Sequence, residues 1–145
     1  HAHAPLWLAQ PARSSQEAAD ALGVSLGQIA KSVVFRRNSG ERAVLVIASG
    51  DKRVDEKKLK LLTGPLGRAD ADYVKACTGF SIGGVSPLAF APVAGLAPPL
   101  LFVDRELFRF EVIWAAAGHP NGVFQMTPAE LERLTGAPVV DVMQA

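Results

Sequence analysis

A single cysteine in 145 residues rules out an internal disulfide and a cysteine-rich zinc site. Such sparing use fits a reducing compartment, so a cytoplasmic location is expected. Excess charge of either sign is also missing: 15 Lys and Arg face 14 Asp and Glu, a formal net charge of +1. A non-specific duplex binder is far more basic, so DNA is not an expected partner. The sequence does not open on a basic segment followed by an apolar run, and no secretory signal is expected. No Gly-x-Ser-x-Gly, His-Glu-x-x-His or dinucleotide fingerprint occurs, and ligand-type residues do not cluster, so neither metal nor cofactor is expected.

Hydrophobic residues make up 49% and charged residues 20%, with a mean hydropathy of +0.20. Disorder is therefore excluded, and the length suits one domain with a buried core. Residues 76–103 carry no charge over 28 positions, enough on length alone to cross a bilayer. Pro87, Pro92, Pro98 and Pro99, with Gly79, Gly83, Gly84 and Gly95, forbid an unbroken helix there. The segment reads as buried loops and short strands, with no membrane role. The charge is unevenly spread: 12 basic against 8 acidic residues in 1–75, and 3 against 6 in 76–145. The basic half peaks at Lys52, Arg53, Lys57, Lys58 and Lys60. That run fits a solvated helix face or a polyanion contact.

Local signals place most elements. Residues 1–13 read as a strand or a ragged, truncated segment with Leu6, Trp7 and Leu8 as its apolar content. Ser14 with Glu17 fits a capping box opening a helix that Gly23 stops. A short helical piece at 24–29 precedes strands at 31–37 and 43–48, joined as a hairpin through Asn38-Ser39-Gly40. The continuous apolar run from Ala43 to Ala48 predicts burial on both faces. A helix at 55–62 ends at Thr63-Gly64-Pro65. Another, capped by Asp70 or Asp72, runs through Cys77 to Gly79. Strands are predicted at 100–103, 110–114, 123–126 and 139–142. Thr127-Pro128-Ala129-Glu130 marks a helix start, and Gly136 its end. The order is not strictly alternating, so the expected fold is mixed α/β (α+β): one domain over 1–145, its central sheet curved and mixed and flanked by helices.

Few residues carry chemistry. Lys31 opens an apolar strand, where it either snorkels outward or supplies a compact cation to a cleft. Gly83-Gly84-Val85-Ser86-Pro87 either presents backbone N–H groups to an oxyanion or forms a tight turn. It is not a phosphate-binding P-loop, because no Gly-Lys-Ser/Thr follows. His119, between Gly118 and Pro120, either shapes a pocket or sits on an exposed turn. Cys77 on an apolar helix reads as buried rather than nucleophilic, and Asp104 as a helix cap.

Taken in order, Ser15-Gln16-Glu17-Ala18-Ala19, Gln28-Ile29-Ala30-Lys31-Ser32-Val33-Val34-Phe35, Thr78-Gly79-Phe80-Ser81-Ile82-Gly83-Gly84-Val85-Ser86-Pro87 and Gly118-His119-Pro120 resemble the YbaK/EbsC family. Its members are free-standing relatives of the editing domain inserted in bacterial prolyl-tRNA synthetases. The resemblance covers about 14–142. It implies a barrel-like curvature of the sheet and hydrolysis, in trans, of the ester in a mischarged aminoacyl-tRNA. The expected substrate is a tRNA for proline carrying a small non-cognate amino acid. By matching position it implies that Lys31, Gly83 and Gly84 are catalytic. Val85, Ser86, Pro87, Gly118 and His119 would line the substrate site. Lys52, Arg53, Lys57 and Lys58 would touch acceptor-stem phosphates, and an aminoacyl-tRNA synthetase is a further possible partner. Two departures bear on specificity. Ala89-Phe90 stand where many relatives have Gly-His, and Ala117-Gly118-His119 replaces the Ser-Gly-Gly of the cysteine-editing branch. The amino acid removed stays open. The alternative is a non-catalytic module that binds a nucleotide, a tRNA or a synthetase in the same cleft.

Overall fold

The computed structural model describes residues 6–7, 14–37, 43–78, 100–116 and 122–144. Eight strands form one mixed sheet: β1 (Leu6–Trp7), β2 (Ile29–Arg37), β3 (Ala43–Ser49), β4 (Leu66–Arg68), β5 (Leu100–Asp104), β6 (Ile113–Ala116), β7 (Gly122–Met126) and β8 (Val139–Val140). Among the described residues four α-helices accompany them: α1 (Ser15–Leu22), α2 (Glu56–Thr63), α3 (Ala71–Thr78) and α4 (Pro128–Thr135). The pairing order is β1-β7-β6-β2-β3-β5-β8, with β4 also on β2. β2/β3, β2/β4, β6/β7 and β1/β7 are antiparallel; β2/β6, β3/β5 and β5/β8 are parallel. The expected mixed sheet with flanking helices is the fold that forms.

β3 is the centre. All seven of its residues are buried, as an apolar run flanked by strands on both edges and covered on both faces must be. Its alternate side chains divide the core. Leu45 and Ile47 join Val74 of α3, Leu107, Ile113 and Leu131 of α4 on one face. Val44, Val46 and Ala48 join Leu59 of α2 and Val142 on the other. A third cluster places Ala18 and Ala19 of α1 over Ile29.

The helix starts follow their side-chain caps. Ser14 Oγ accepts from Glu17 N at 3.1 Å, and Asp55 Oδ1 from Lys57 N at 3.0 Å. Asp70, rather than Asp72, caps α3 by accepting from Tyr73 N at 2.8 Å. Thr127 and Glu130 form a complete capping box at α4. Glu17 makes no return bond of that kind to Ser14 among the described residues. α1 and α4 both end on left-handed glycines, Gly23 and Gly136.

Three predictions need correction. β4 was not expected; three residues around Gly67 carry too little pattern to be seen. The strand predicted at 110–114 begins only at Ile113, because residues 105–109 coil into a 3-10 turn that Asp104 caps. Phe110 closes that turn, its N–H donating to Leu107 O at 3.3 Å. The strand expected at 139–142 is two residues long. Beyond it the chain turns against 53–55: Asp55 N donates to Val142 O at 2.7 Å and Gln144 N to Arg53 O at 2.8 Å. The hairpin turn 38–40, most of 1–13 and Gly79 lie outside the described residues.

Candidate active site

Lys31 is the third residue of the long strand β2. Its outward neighbours on the same face are Ile29, which α1 covers, and Val33 and Phe35, which pack toward Leu59 of α2. Side chains two apart share a face, so Lys31 stands between the ground held by the two helices. The opposite edge of β2 also parts there. β6 pairs with it at Ile29 and Ala30, and β4 at Phe35 to Arg37. Between them, positions 31–34 have no strand on that edge among the described residues.

The Lys31 ammonium is not loose. Its Nζ donates to the backbone carbonyl of Lys52 at 2.7 Å. One of three ammonium protons is thereby used, and two have no acceptor among the described residues. Burial pushes this amine below the ordinary lysine value of 10.5, and the Arg53 charge adds to the effect; Asp51 and Asp104 oppose it. Ser32, next along, is on the other face, opposite Ile47. Its Oγ is buried without a hydrogen-bond partner among the described residues.

The carbonyl that receives Lys31 belongs to a tight turn, 49–52, closed by Lys52 N donating to Ser49 O at 3.0 Å. This turn is wedged against the 3-10 turn Leu26–Gln28. A Cβ on Gly50 would stand 2.5 Å from Leu26 O, and one on Gly27 would stand 2.7 Å from the Phe110 ring and 2.9 Å from Asp51 Oδ2. At Gly50 the neighbour is backbone, so only glycine permits the approach; at Gly27 the Phe110 and Asp51 side chains would have to shift. Ser49 Oγ donates to Gly27 O, lies 2.9 Å from Asp51 Oδ1 and accepts from Arg109 Nη2 at 2.8 Å. Asp51 takes two bonds from the Arg109 guanidinium, at 2.8 and 3.3 Å, which hold its carboxyl below the usual carboxylate value.

Asp104 is fully buried at the end of β5, where it accepts from Glu106 N at 3.1 Å and Ser49 N at 3.5 Å. Burial pushes its carboxyl up, against the pull of those two bonds. Among the described residues no three His, Cys, Asp or Glu side chains converge in a way that would hold a metal ion.

The sequence-predicted residues fall into three groups. Lys31 is half-buried, its ammonium held on the Lys52 carbonyl rather than extended freely into solvent. Lys52, Arg53, Lys57 and Lys58 follow from the turn into α2, so the basic run is continuous with the site. Lys58 is already engaged: its Nζ donates to Met143 O at 2.9 Å and lies 3.6 Å from Asp141. Asp141 also pairs with Arg105 at 3.2 Å. Gly83, Gly84, Val85, Ser86, Pro87, Gly118 and His119 lie outside the described residues, as does the side chain of Cys77. Sequence reasoning missed Ser49, Asp51 and Arg109. The Ser49-Gly50-Asp51 turn composition after a buried strand marks a turn there, but no local signal marks Arg109 or its pairing with Asp51.

No helix among the described residues is long and apolar enough to cross a membrane. The family described as the aminoacyl-tRNA editing domain matches residues 9–134. The chain is 36% identical over 129 residues to the uncharacterized protein YwhH of Bacillus subtilis, covering 88% of this chain and 78% of that one. It is 37% identical over 89 residues to a proline–tRNA ligase of Pelotomaculum thermopropionicum, covering 60% of this chain but only 15% of the ligase. It also superposes, with a TM-score of 0.86 and 38% identity, on a candidate trans-editing enzyme for prolyl tRNA synthetase; the match covers 99% of this chain and 87% of that one. A cation held between two helices at a parting of the sheet thus sits within a fold and sequence shared with these proteins, and the chain belongs to the aminoacyl-tRNA editing domain family.

Proposed function

We propose that the protein is a trans-acting deacylase that hydrolyses the ester of a mischarged aminoacyl-tRNA, a tRNA for proline carrying a small non-cognate amino acid. The observation that carries the reading is the Lys31 ammonium, held by Lys52 O at 2.7 Å with two protons unused among the described residues. It is placed in a chain of the editing family. The biological need is physical: one methylene changes binding by only about 1–3 kcal/mol, so a synthetase site accepts amino acids smaller than its own. A second site has to remove them.

In this reading Lys31 binds the phosphate or ester of the terminal adenosine. Gly83 and Gly84 bring backbone N–H groups to the ester carbonyl, and Val85, Ser86 and Pro87 complete that loop. Gly118 and His119 bound the amino-acid pocket. Water adds to the carbonyl carbon, and the bond from that carbon to the ribose oxygen breaks. The ribose oxygen takes the proton that water releases, relayed by the neighbouring hydroxyl of the substrate. The products are the free amino acid and a tRNA with a free terminal hydroxyl. Placement and electrostatics carry the rate, and a single oxyanion donor is worth about 10²–10³-fold. Lys52, Arg53 and Lys57 meet acceptor-stem phosphates. Lys58, taken up by Asp141 and Met143, is the member of the run least free to do so. The protein works in the cytoplasm, alone or beside a synthetase.

The test is deacylation of tRNAs for proline charged with alanine, cysteine, serine, threonine or proline, wild type beside Lys31→Ala. Cleavage of one mischarged species, absent for proline and lost in the variant with the fold intact, is the expected result. A variant at full rate refutes the role of Lys31. An intact panel, extended to other tRNAs, refutes the deacylase and leaves a binding module.

A further inference from the structure

Lys31 depends on a carbonyl, and that carbonyl depends on a turn. Asp51 is the third residue of the turn 49–52, and its carboxylate is gripped by two N–H groups of Arg109. Arg109 is itself fixed. Its Nε donates to Glu106 O at 2.8 Å and lies 3.3 Å from Glu106 Oε2, and the guanidinium lies over the Phe110 ring at 4.9 Å. The same guanidinium reaches Ser49 Oγ, which anchors the start of the turn to Gly27 O. One side chain therefore ties the end of β3 to the 3-10 turn that follows β5. The pair is about one-third exposed, 36% on each side chain, and exposed pairs of this kind add little to folding. Its planar, two-point geometry fixes a position better than a point charge does.

We infer that the Asp51–Arg109 clasp is the positioning device for Lys31, fixing the turn whose Lys52 carbonyl receives the ammonium. Asp51 and Arg109 touch no reacting atom; they act through the turn. The inference rests on the deacylase reading of Lys31. The charges that bear on that amine are Asp51 and Asp104, which favour its protonated form, and Arg53, which opposes it.

The experiment compares wild type, Asp51→Asn, Arg109→Gln, Arg109→Lys and the Asp51→Asn/Arg109→Gln double variant. Three quantities are read: kcat and KM on the mischarged tRNA that the wild type cleaves, Tm, and the 13Cε titration of Lys31 in lysine-labelled protein. The Lys31 signal is identified by its loss in Lys31→Arg. Both single charge-removing variants should lose about tenfold or more in kcat, with KM within about twofold and a small change in Tm. The double variant should be no slower than the slower single, as residues acting as one unit require. Arg109→Lys should recover part of the rate. The Lys31 midpoint should fall in Asp51→Asn and rise in Arg109→Gln, where Asp51 loses its neutralising partner.

Single variants within twofold of wild type in kcat, while Lys31→Ala is inactive, overturn the clasp. So do losses that multiply in the double variant. If Lys31→Ala retains the wild-type rate, or no tRNA is cleaved, the functional reading fails instead. The Lys31 signal then decides the clasp alone: a 13Cε position of the protonated amine unmoved in the double variant, where both charges are removed together, overturns it, and a displaced one upholds it.

Discussion

Gly50→Ala isolates the turn from every charge around it. Gly50 does not have the left-handed backbone found at Gly23, Gly64 and Gly136, so alanine there meets no conformational penalty. What it meets is Leu26 O at 2.5 Å and Ile29 O at 3.3 Å. Both are backbone atoms and cannot swing aside as a side-chain tip would. Restoring an ordinary contact of about 3.4 Å to Leu26 O requires the turn to retreat by roughly 0.9 Å. Overpacking of this kind costs about 1–3 kcal/mol, less the few tenths that alanine gains by stiffening the unfolded chain. For a chain of this size each kcal/mol lowers Tm by roughly 3–4 °C, so a fall of roughly 2–10 °C is expected by calorimetry. The retreat also carries the Lys52 carbonyl away from Lys31. A misplacement of about 1 Å costs up to about 100-fold in rate, so deacylation, measured well below the new Tm, should fall by about 10–100-fold. Gly67→Ala is the control: among the described residues its Cβ meets only Arg36 O at 3.9 Å, so Tm should not fall and the rate should not move. A Gly50→Ala protein with wild-type Tm and rate would refute the wedge between the two turns, and with it the view that the turn is held in one place.

The remaining predictions concern charge. Lys31 has a folded pKa below its ordinary 10.5, so between those two values the unfolded chain holds a proton that the folded chain has released. Stability therefore rises with pH across that window, and denaturation of Lys31→Met at increasing pH should show the slope removed. In acid, the two carboxylates act oppositely. The lowered pKa of Asp51 gives stability that is present above its ordinary 3.8 and lost as pH falls through the folded value, whereas the raised pKa of Asp104 gives stability present below 3.8 and lost as pH rises. Asp51→Asn should flatten the acid loss and Asp104→Asn should steepen it; the same change in both would contradict the assignment. For tRNA, each phosphate contact contributes about 0.7–0.9 to the log–log salt slope of binding. Lys57→Gln should lower the slope by that amount, while Lys58→Gln should leave it unchanged and loosen the C-terminal segment instead; equal slopes in the two variants would remove the distinction.

What the sequence made legible was local. Ser14, Asp55 and Thr127 announce helix starts because a cap is satisfied within three residues. The run 43–48 reads as doubly buried because nothing polar interrupts it, and the structure buries every one of those side chains. Lys31 was legible as one residue with two possible directions. Which direction it took depended on Lys52, 21 positions away, and no pattern reports a bond from a side chain to a distant carbonyl. The clasp was wholly silent, because Asp51 and Arg109 are 58 positions apart. The same limit explains the misplaced start of β6. Phe110, Glu111 and Val112 have strand-like composition, but Asp104 caps a 3-10 turn whose end brings the Phe110 ring against the Gly27 backbone. That packing, between segments more than 80 residues apart, overrides local preference.

The separation of stability from placement is the physical logic of this cleft. Around the Lys31 ammonium the described residues form a set of braces: the turn 49–52 with its Lys52 carbonyl, the Asp51–Arg109 pair and Asp104. In the proposed deacylase, Lys31 acts by fixing where charge stands before the ester arrives, since groups that need not reorganise stabilise developing charge most effectively. The braces are accordingly of two kinds. The buried carboxylate of Asp104 spends folding energy to hold Ser49 N and the following 3-10 turn, and its raised pKa records that cost. The one-third-exposed Asp51–Arg109 pair costs little and adds little to stability, yet it determines the position of the turn. Substitutions in the first kind should therefore be read mainly in Tm, and those in the second mainly in kcat. A variant of Asp51 or Arg109 that unfolded the protein without changing the rate of the folded fraction would reverse that division, and Lys31 would then be positioned by the core rather than by the clasp.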